Sequence, residues 1–255
     1  MSTLVYEKPK SIREDYTFSF CPGCDHGVVL KLVAEVLDEF NIREKSIGVA
    51  SVGCSVFLDN YFDVDVVEAP HGRACAVATG AKRAKPQNVV FTYQGDGDFA
   101  SIGMAESIHA MVRGEKITAI CINNTTYGMT GGQAGPTTLL GQVTTTTPKG
   151  RKVEISGYPV QISEIISQIE GAAYVARVSV DSPKAIREAK KAIKKAFEVQ
   201  LKGLGTGFVE ILASCPTNWK MTPQQAHERI RKEMYEVFEL KEFKNKLENR
   251  EIVKE

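Results

Sequence analysis

No stretch of this sequence approaches the roughly 18 consecutive apolar residues that a membrane span requires. Nor does it open on the apolar core of a signal peptide. MSTLVYEKPKSIREDYTF carries charged residues throughout, so the cytoplasm is the expected location. Charge of one sign is missing as well: 32 Lys and Arg stand against 31 Asp and Glu, a net charge of +1 that leaves no basic field for nucleic acid. There is no internal repeat and no long linker. Six cysteines in 255 residues do not make a secreted disulfide framework. What is present is ordinary for a globular chain, with 43% hydrophobic and 25% charged residues and enough length for one large α/β domain or two small ones.

Nearly continuous Val, Ile and Ala runs predict strands near Ser46–Val52, Val64–Glu68, Asn88–Tyr93, Ile117–Ile122, Tyr174–Val180 and Thr206–Leu212, covered on both faces. Between them, helical spacing predicts helices over His26–Phe40, Arg73–Ala84, Ala100–Arg113, Val160–Glu170 and Pro183–Leu201. The alternation gives an α/β fold, a mostly parallel sheet with helices on both faces, whose ligands sit at the carboxyl ends of strands. Met129–Lys152, rich in Gly and Thr, reads as a long loop that is either functional or a mobile excursion. From about His227 the charged sequence predicts a surface helix and a frayed tail, so the expected division is a domain over 1–222 and a helical extension over 223–255.

After the Val89–Tyr93 run comes Gln94-Gly95-Asp96-Gly97-Asp98, and the next strand ends in Asn123-Asn124, with 25 residues between Gly97 and Asn123. Gly95 and Gly97 let backbone N–H groups approach an anion, and the following helix N-terminus favours negative charge. A carboxylate in the same turn would repel a bare phosphate. A hard divalent cation between them, held by Asp96 and an Asn oxygen, resolves the conflict, so a metal-bridged diphosphate suits the pattern. The bland alternative is a tight turn with no ligand.

The cysteines are uneven. Cys21-Pro22-Gly23-Cys24 precedes the first predicted helix, Cys54 follows one strand and Cys215 another, so four thiols are placed to share one edge of the sheet. By count, zinc and a [4Fe–4S] cluster fit equally. Two ligands isolated at strand ends, in a domain large enough to need no staple, favour iron–sulfur. Cys75 and Cys121 lie in apolar contexts and read as core thiols.

GDG followed by NN at this distance resembles the diphosphate-binding motif of thiamine-diphosphate enzymes. That resemblance implies Mg²⁺ on the side chains of Asp96 and Asn124 and the carbonyl of Thr126, with Gly95, Gly97 and Asp98 at the diphosphate. Together with CPGC, GCS at Gly53–Ser55, HGRA at His71–Ala74, YGMTGGQ at Tyr127–Gln133 and CPTNW at Cys215–Trp219, the chain resembles the β subunit of 2-oxoacid:ferredoxin oxidoreductases from Cys21 to about Pro223. The nearer likeness is to 2-oxoisovalerate and 2-oxoglutarate types rather than to pyruvate enzymes. The resemblance implies a [4Fe–4S] cluster on Cys21, Cys24, Cys54 and Cys215, and further cofactor contacts from His71, Gly128, Met129 and Thr130.

The implied reaction is oxidative decarboxylation of a 2-oxoacid to acyl-CoA and CO₂, with electrons passed to ferredoxin. The activating Glu and the pyrimidine-binding half are absent from the sequence and are expected from an α subunit; γ and δ subunits are further candidate partners. Two departures stand out: Asp25 replaces the Gly of the more usual CPGCGH, and GGQAGPT replaces a Met-Ala or Ser-containing variant. His71 and Arg73 are the candidate catalytic side chains, Arg73 either for a substrate carboxylate or in an ion pair. His26 lies near the cofactor or caps a helix, while His109 and His227 are expected in structural or solvent roles. Two rival readings remain, a non-redox decarboxylase or acetolactate-synthase relative and a zinc- or cluster-stabilised binding module.

Overall fold

The apolar runs become strands because their residues are buried on both sides of one sheet. The computed structural model describes residues 7–16 and 18–248. It contains β1 (Ser46–Ser51), β2 (Asp65–Ala69), β3 (Val89–Gly95), β4 (Thr118–Asn123), the short pair β5 (Thr126–Tyr127) and β6 (Gln133–Ala134), then β7 (Ala172–Ser179), β8 (Thr206–Leu212) and β9 (Lys241–Asn245). Seven of these form one sheet in the order β2-β1-β3-β4-β8-β7-β9. Every pairing in it is parallel except that of β9 with β7.

Side chains alternate between the two faces, as the pleat requires. Phe91, Tyr93, Ile120 and Val209 pack against the helices His26–Glu39 and Pro183–Leu201 through Val29, Leu37, Ile193 and Phe197. Val90, Ala119, Cys121 and Phe208 pack on the other face, against Ala78 of Ala74–Ala84, Met111 of Met104–Val112 and Ile166 of Ile162–Ser167. Helices therefore cover both faces. Because β1, β3, β4 and β8 run the same way, the loops carrying Cys54, Asp96, Asn124 and Cys215 all leave one edge. Among the described residues no helix is long and apolar enough to cross a membrane.

Three elements differ from expectation. The helix predicted over Ala100–Arg113 begins instead as a π-helical turn, Asp98–Ile102, and restarts at Met104. The break sits at Gly103, where a Cβ would lie 2.5 Å from the Asp98 carbonyl oxygen and 2.6 Å from that of Gly72. The Met129–Lys152 segment is built, not loose. Buried Arg151 donates to the carbonyls of Gly135, Pro136, Thr138, Ser156, Gly157 and Tyr158 at 2.8–3.1 Å, so one guanidinium gathers the whole excursion. Finally, the helix expected from His227 ends at Val237, and Lys241–Asn245 adds a strand to the sheet edge. Phe238 and Phe243 explain the turn inward, since each stands 5.3 Å from the guanidinium carbon of Arg177. The predicted fraying falls on 249–255, outside the described residues.

Candidate functional site

Asp96 follows β3 and is 2% exposed. Burial pushes its carboxyl up to about 7, against the pull of the Thr137 hydroxyl, which donates to it, and of the Gly97 backbone. Its hydrogen-bond partners are thus neutral, and a buried carboxylate left without a cation is costly. A Cβ on Gly135 would stand 3.7 Å from Asp96 Oδ2 and 3.9 Å from the Thr126 carbonyl carbon, so both border Gly135. Asn124 is buried just past β4, and its Oδ1 accepts the Thr126 N–H at 3.2 Å. Between them Thr125 is held at φ 59°, a left-handed conformation that costs a non-glycine residue energy and folds the Asn-Asn turn sharply. A lone buried carboxylate, an amide oxygen and a tight backbone turn are the oxygen donor set that a hard divalent cation takes. The residues present fit Mg²⁺.

Gly97 lies under Tyr127; a Cβ there would be 2.1 Å from the tyrosine ring. The Asp98 side chain accepts the Gly72 N–H at 2.6 Å and the Gln94 amide at 2.5 Å and pairs with His71 Nδ1. It therefore fixes the His-Gly-Arg loop, in which the His71 side chain is about a third exposed. Arg73 forms an ion pair with Glu106 at 2.9 Å. Thr130 and Gln133 bond each other, and Met129 is exposed. Cys75 and Cys121 are buried in the core.

The cysteine loops converge behind the same turn. A Cβ on Gly128 would sit 3.4 Å from Cys215 Sγ and 3.7 Å from Cys54 Sγ. The Asn218 amide, unforeseen in the sequence, donates to Cys215 Sγ at 3.2 Å and to the Gly128 carbonyl at 2.9 Å. Burial pushes the Cys24 thiol up to about 12 and the Cys54 thiol up to about 11, and it raises Cys215 as well. Neighbouring thiols reinforce the effect: Cys24 is acted on by Cys54 and Cys215, and those two by Cys21. Such thiols become thiolates only with a positively charged centre among them. Among the described residues no three His, Cys, Asp or Glu side chains stand close enough to share a single metal ion.

His26 is buried, with Nδ1 2.7 Å from the Tyr93 hydroxyl and its ring stacked on Phe20; burial lowers it to about 4. His227, expected in a structural or solvent role, reaches Asp25 at 2.9 Å. Only the unusual Asp after Cys24 hinted at that contact.

Comparison with known proteins gives the family. The family described as thiamine pyrophosphate enzyme, C-terminal TPP binding domain, matches residues 51–211. The ketoisovalerate oxidoreductase subunit VorA of Methanothermobacter marburgensis is 44% identical over 96% of this chain and 53% of its own length. The chain thus spans about half the length of that relative. The 2-oxoglutarate synthase subunit KorB of Archaeoglobus fulgidus is 39% identical over 80% of this chain and 72% of its own. A solved structure, 2-oxoglutarate:ferredoxin oxidoreductase from Magnetococcus marinus with 2-oxoglutarate, coenzyme A and succinyl-CoA bound, superposes with a TM-score of 0.74. It is 32% identical and covers 84% of this chain and 70% of its own. The chain belongs to the thiamine pyrophosphate enzymes with the C-terminal TPP-binding domain, in the group of β subunits of 2-oxoacid:ferredoxin oxidoreductases.

Proposed function

We propose that this chain binds thiamine diphosphate, Mg²⁺ and a [4Fe–4S] cluster within an enzyme that oxidatively decarboxylates a 2-oxoacid to acyl-CoA and CO₂, passing electrons to ferredoxin. The observation that carries the reading is one short turn. The Tyr127 ring packs on Gly97, the residue after Asp96, and Gly128, next to Tyr127 in the same turn, borders Cys54 and Cys215. A cofactor that stabilises carbanions and a centre that accepts electrons would then be neighbours across that turn. Cys54 and Cys215, each isolated after a strand in a domain large enough to need no staple, suit a cluster better than structural zinc.

Within this reading Asp96, Asn124 and the Thr126 carbonyl hold Mg²⁺. The Gly95–Asp98 backbone meets the diphosphate, and Gly128, Met129 and Thr130 flank the cofactor. His71, steadied by Asp98, presents a ring nitrogen toward the same edge. Residues 1–222 form the cofactor-binding unit, and 223–255 are an extension of it, not an independent domain. The activating Glu comes from a pyrimidine-binding α subunit, γ or δ subunits are further partners, and the assembly is cytoplasmic. Exposed Leu140 and Val143 on the Gly/Thr segment, with Ile155 and Tyr158 just after it, support a partner covering that side. The VorA and KorB names favour 2-oxoisovalerate or 2-oxoglutarate over pyruvate.

Anaerobic analysis of iron, sulfide and thiamine diphosphate in the copurified complex tests this. Both cofactors present, with iron lost in Cys54→Ala and Cys215→Ala, is the expected result. Thiamine diphosphate without iron would make the enzyme a non-redox decarboxylase, and zinc without thiamine diphosphate would end the enzymatic reading.

A further inference from the structure

Asp25 sits at the N-cap of the helix His26–Glu39, a position where Asp ordinarily accepts a hydrogen bond from its own helix. Here it makes no such cap. Its carboxylate, 3% exposed, turns instead to a loop far along the chain, where Oδ2 accepts the Ser214 N–H at 2.6 Å, one residue before Cys215. Oδ1 lies 2.9 Å from His227 Nε2, on the helix Pro223–Arg229. Two further contacts close the knot. The Ser214 hydroxyl donates to the Gly23 carbonyl at 3.1 Å, and a Cβ on Gly23 would meet Pro223 Cγ at 2.3 Å. The Cys21–Cys24 loop, the Cys215 loop and the start of the C-terminal segment are therefore joined at a single carboxylate.

From this geometry we infer that Asp25 is a positioning and tuning residue of the four-thiol site. It fastens Cys24 to Cys215 through the Ser214 amide, and it fixes a negative charge beside the cluster. The second part rests on the iron–sulfur reading above; the first does not. Local charge and hydrogen bonding set the reduction potential of such clusters within a wide range, and a buried anion beside one makes the added electron less welcome. A Gly at this position, the more usual residue of the resembling sequences, supplies neither the fastening nor the charge.

Two substitutions separate the roles. Asp25→Asn keeps an oxygen for the Ser214 amide and can donate to His227 Nε2, but it removes the charge. Asp25→Gly removes both. In the copurified complex, hydrogen exchange at the Ser214–Cys215 peptide should stay within about threefold of the parent in Asp25→Asn. It should quicken by at least about tenfold in Asp25→Gly, a hydrogen bond worth about 1.4 kcal/mol. Redox titration followed by electron paramagnetic resonance should show a less negative cluster potential in Asp25→Asn with iron retained. Asp25→Gly should lose iron faster on gel filtration. Unchanged exchange in Asp25→Gly overturns the fastening role, and an unchanged potential in iron-loaded Asp25→Asn overturns the tuning role. If the parent complex holds no iron, the oxidoreductase reading fails and the tuning role with it, while exchange at Ser214 still decides the fastening.

Discussion

Asn123 donates through Nδ2 to Glu210 at 2.7 Å, so the residue just before the Asn124 turn is anchored to a carboxylate on the neighbouring strand β8. Glu210 is fully buried and also accepts from Ser163 at 2.6 Å and from Arg177 Nε at 2.8 Å. Arg177 is itself buried, bonded to Glu164 and the Glu239 carbonyl and held between Phe238 and Phe243. The C-terminal segment thereby reaches the Asn123-Asn124 turn through two side chains.

Glu210→Ala leaves Arg177 without its deepest partner, and unpairing a buried ion of this kind costs roughly 3–5 kcal/mol. It also frees Asn123, so Mg²⁺-dependent thiamine diphosphate binding should weaken at least about tenfold. Thermal unfolding and calorimetric titration measure the two effects. Lower stability with unaltered cofactor affinity would show that the network supports the fold without positioning the turn.

The sheet was legible because burial on both faces leaves an unmistakable pattern of Val, Ile and Ala, and parallel order follows from the intervening helices. That Asp96, Asn124, Cys54 and Cys215 leave one edge of the sheet was legible because each follows a predicted strand. The supports were not. Thr137, Asn218, Arg151 and Glu210 act through contacts between segments far apart in the chain, and nothing local distinguishes Arg151 from an ordinary surface arginine. β9 was hidden for a similar reason. KEFKN reads as a solvated charged run until Arg177 supplies a reason for Phe243 to turn inward.

Asp96 carries a cost in the metal-free protein. Its carboxyl titrates near 4 when unfolded and is pushed up to about 7 by burial, so ionisation opposes folding increasingly from pH 4 to pH 7. Asp96→Asn should accordingly stabilise the chelator-treated protein by about 4 kcal/mol at pH 7, with the gain fading toward pH 4. The same variant should lose the rise in melting temperature that Mg²⁺ and thiamine diphosphate give the parent. A variant that still gains from both ligands would remove Asp96 from the site.

Gly128 has ordinary φ, so alanine is allowed there by backbone conformation. Its Cβ would rest at contact distance from two thiols, 3.4 Å from Cys215 and 3.7 Å from Cys54, filling space a cluster needs. Gly128→Ala should leave the melting temperature of the iron-free chain within the change of about 0.5 kcal/mol typical of a neutral substitution, yet cut iron content severalfold. Full iron loading in this variant would move the cluster away from the 126–128 turn.

The C-terminal segment is held at its other end by Asp181, which follows β7. Tyr235 donates to it at 2.5 Å, Ser179 at 2.8 Å and Arg231 at 2.9 Å. Burial works to raise the Asp181 carboxyl, but these donors outweigh it and hold the pKa below the usual carboxylate range. A carboxylate depressed in the folded state contributes stability above its unfolded value near 4, and that contribution is lost as pH falls through the lower folded value. Asp181→Asn should therefore cost about 1–3 kcal/mol at pH 7, where an acceptor is replaced by a donor facing donors. Unfolding curves of parent and variant should draw together below pH 4, as the parent carboxylate protonates. A gap between them that stays constant from pH 7 to pH 3 would assign the loss to packing and leave the charge of Asp181 without a part in anchoring the segment.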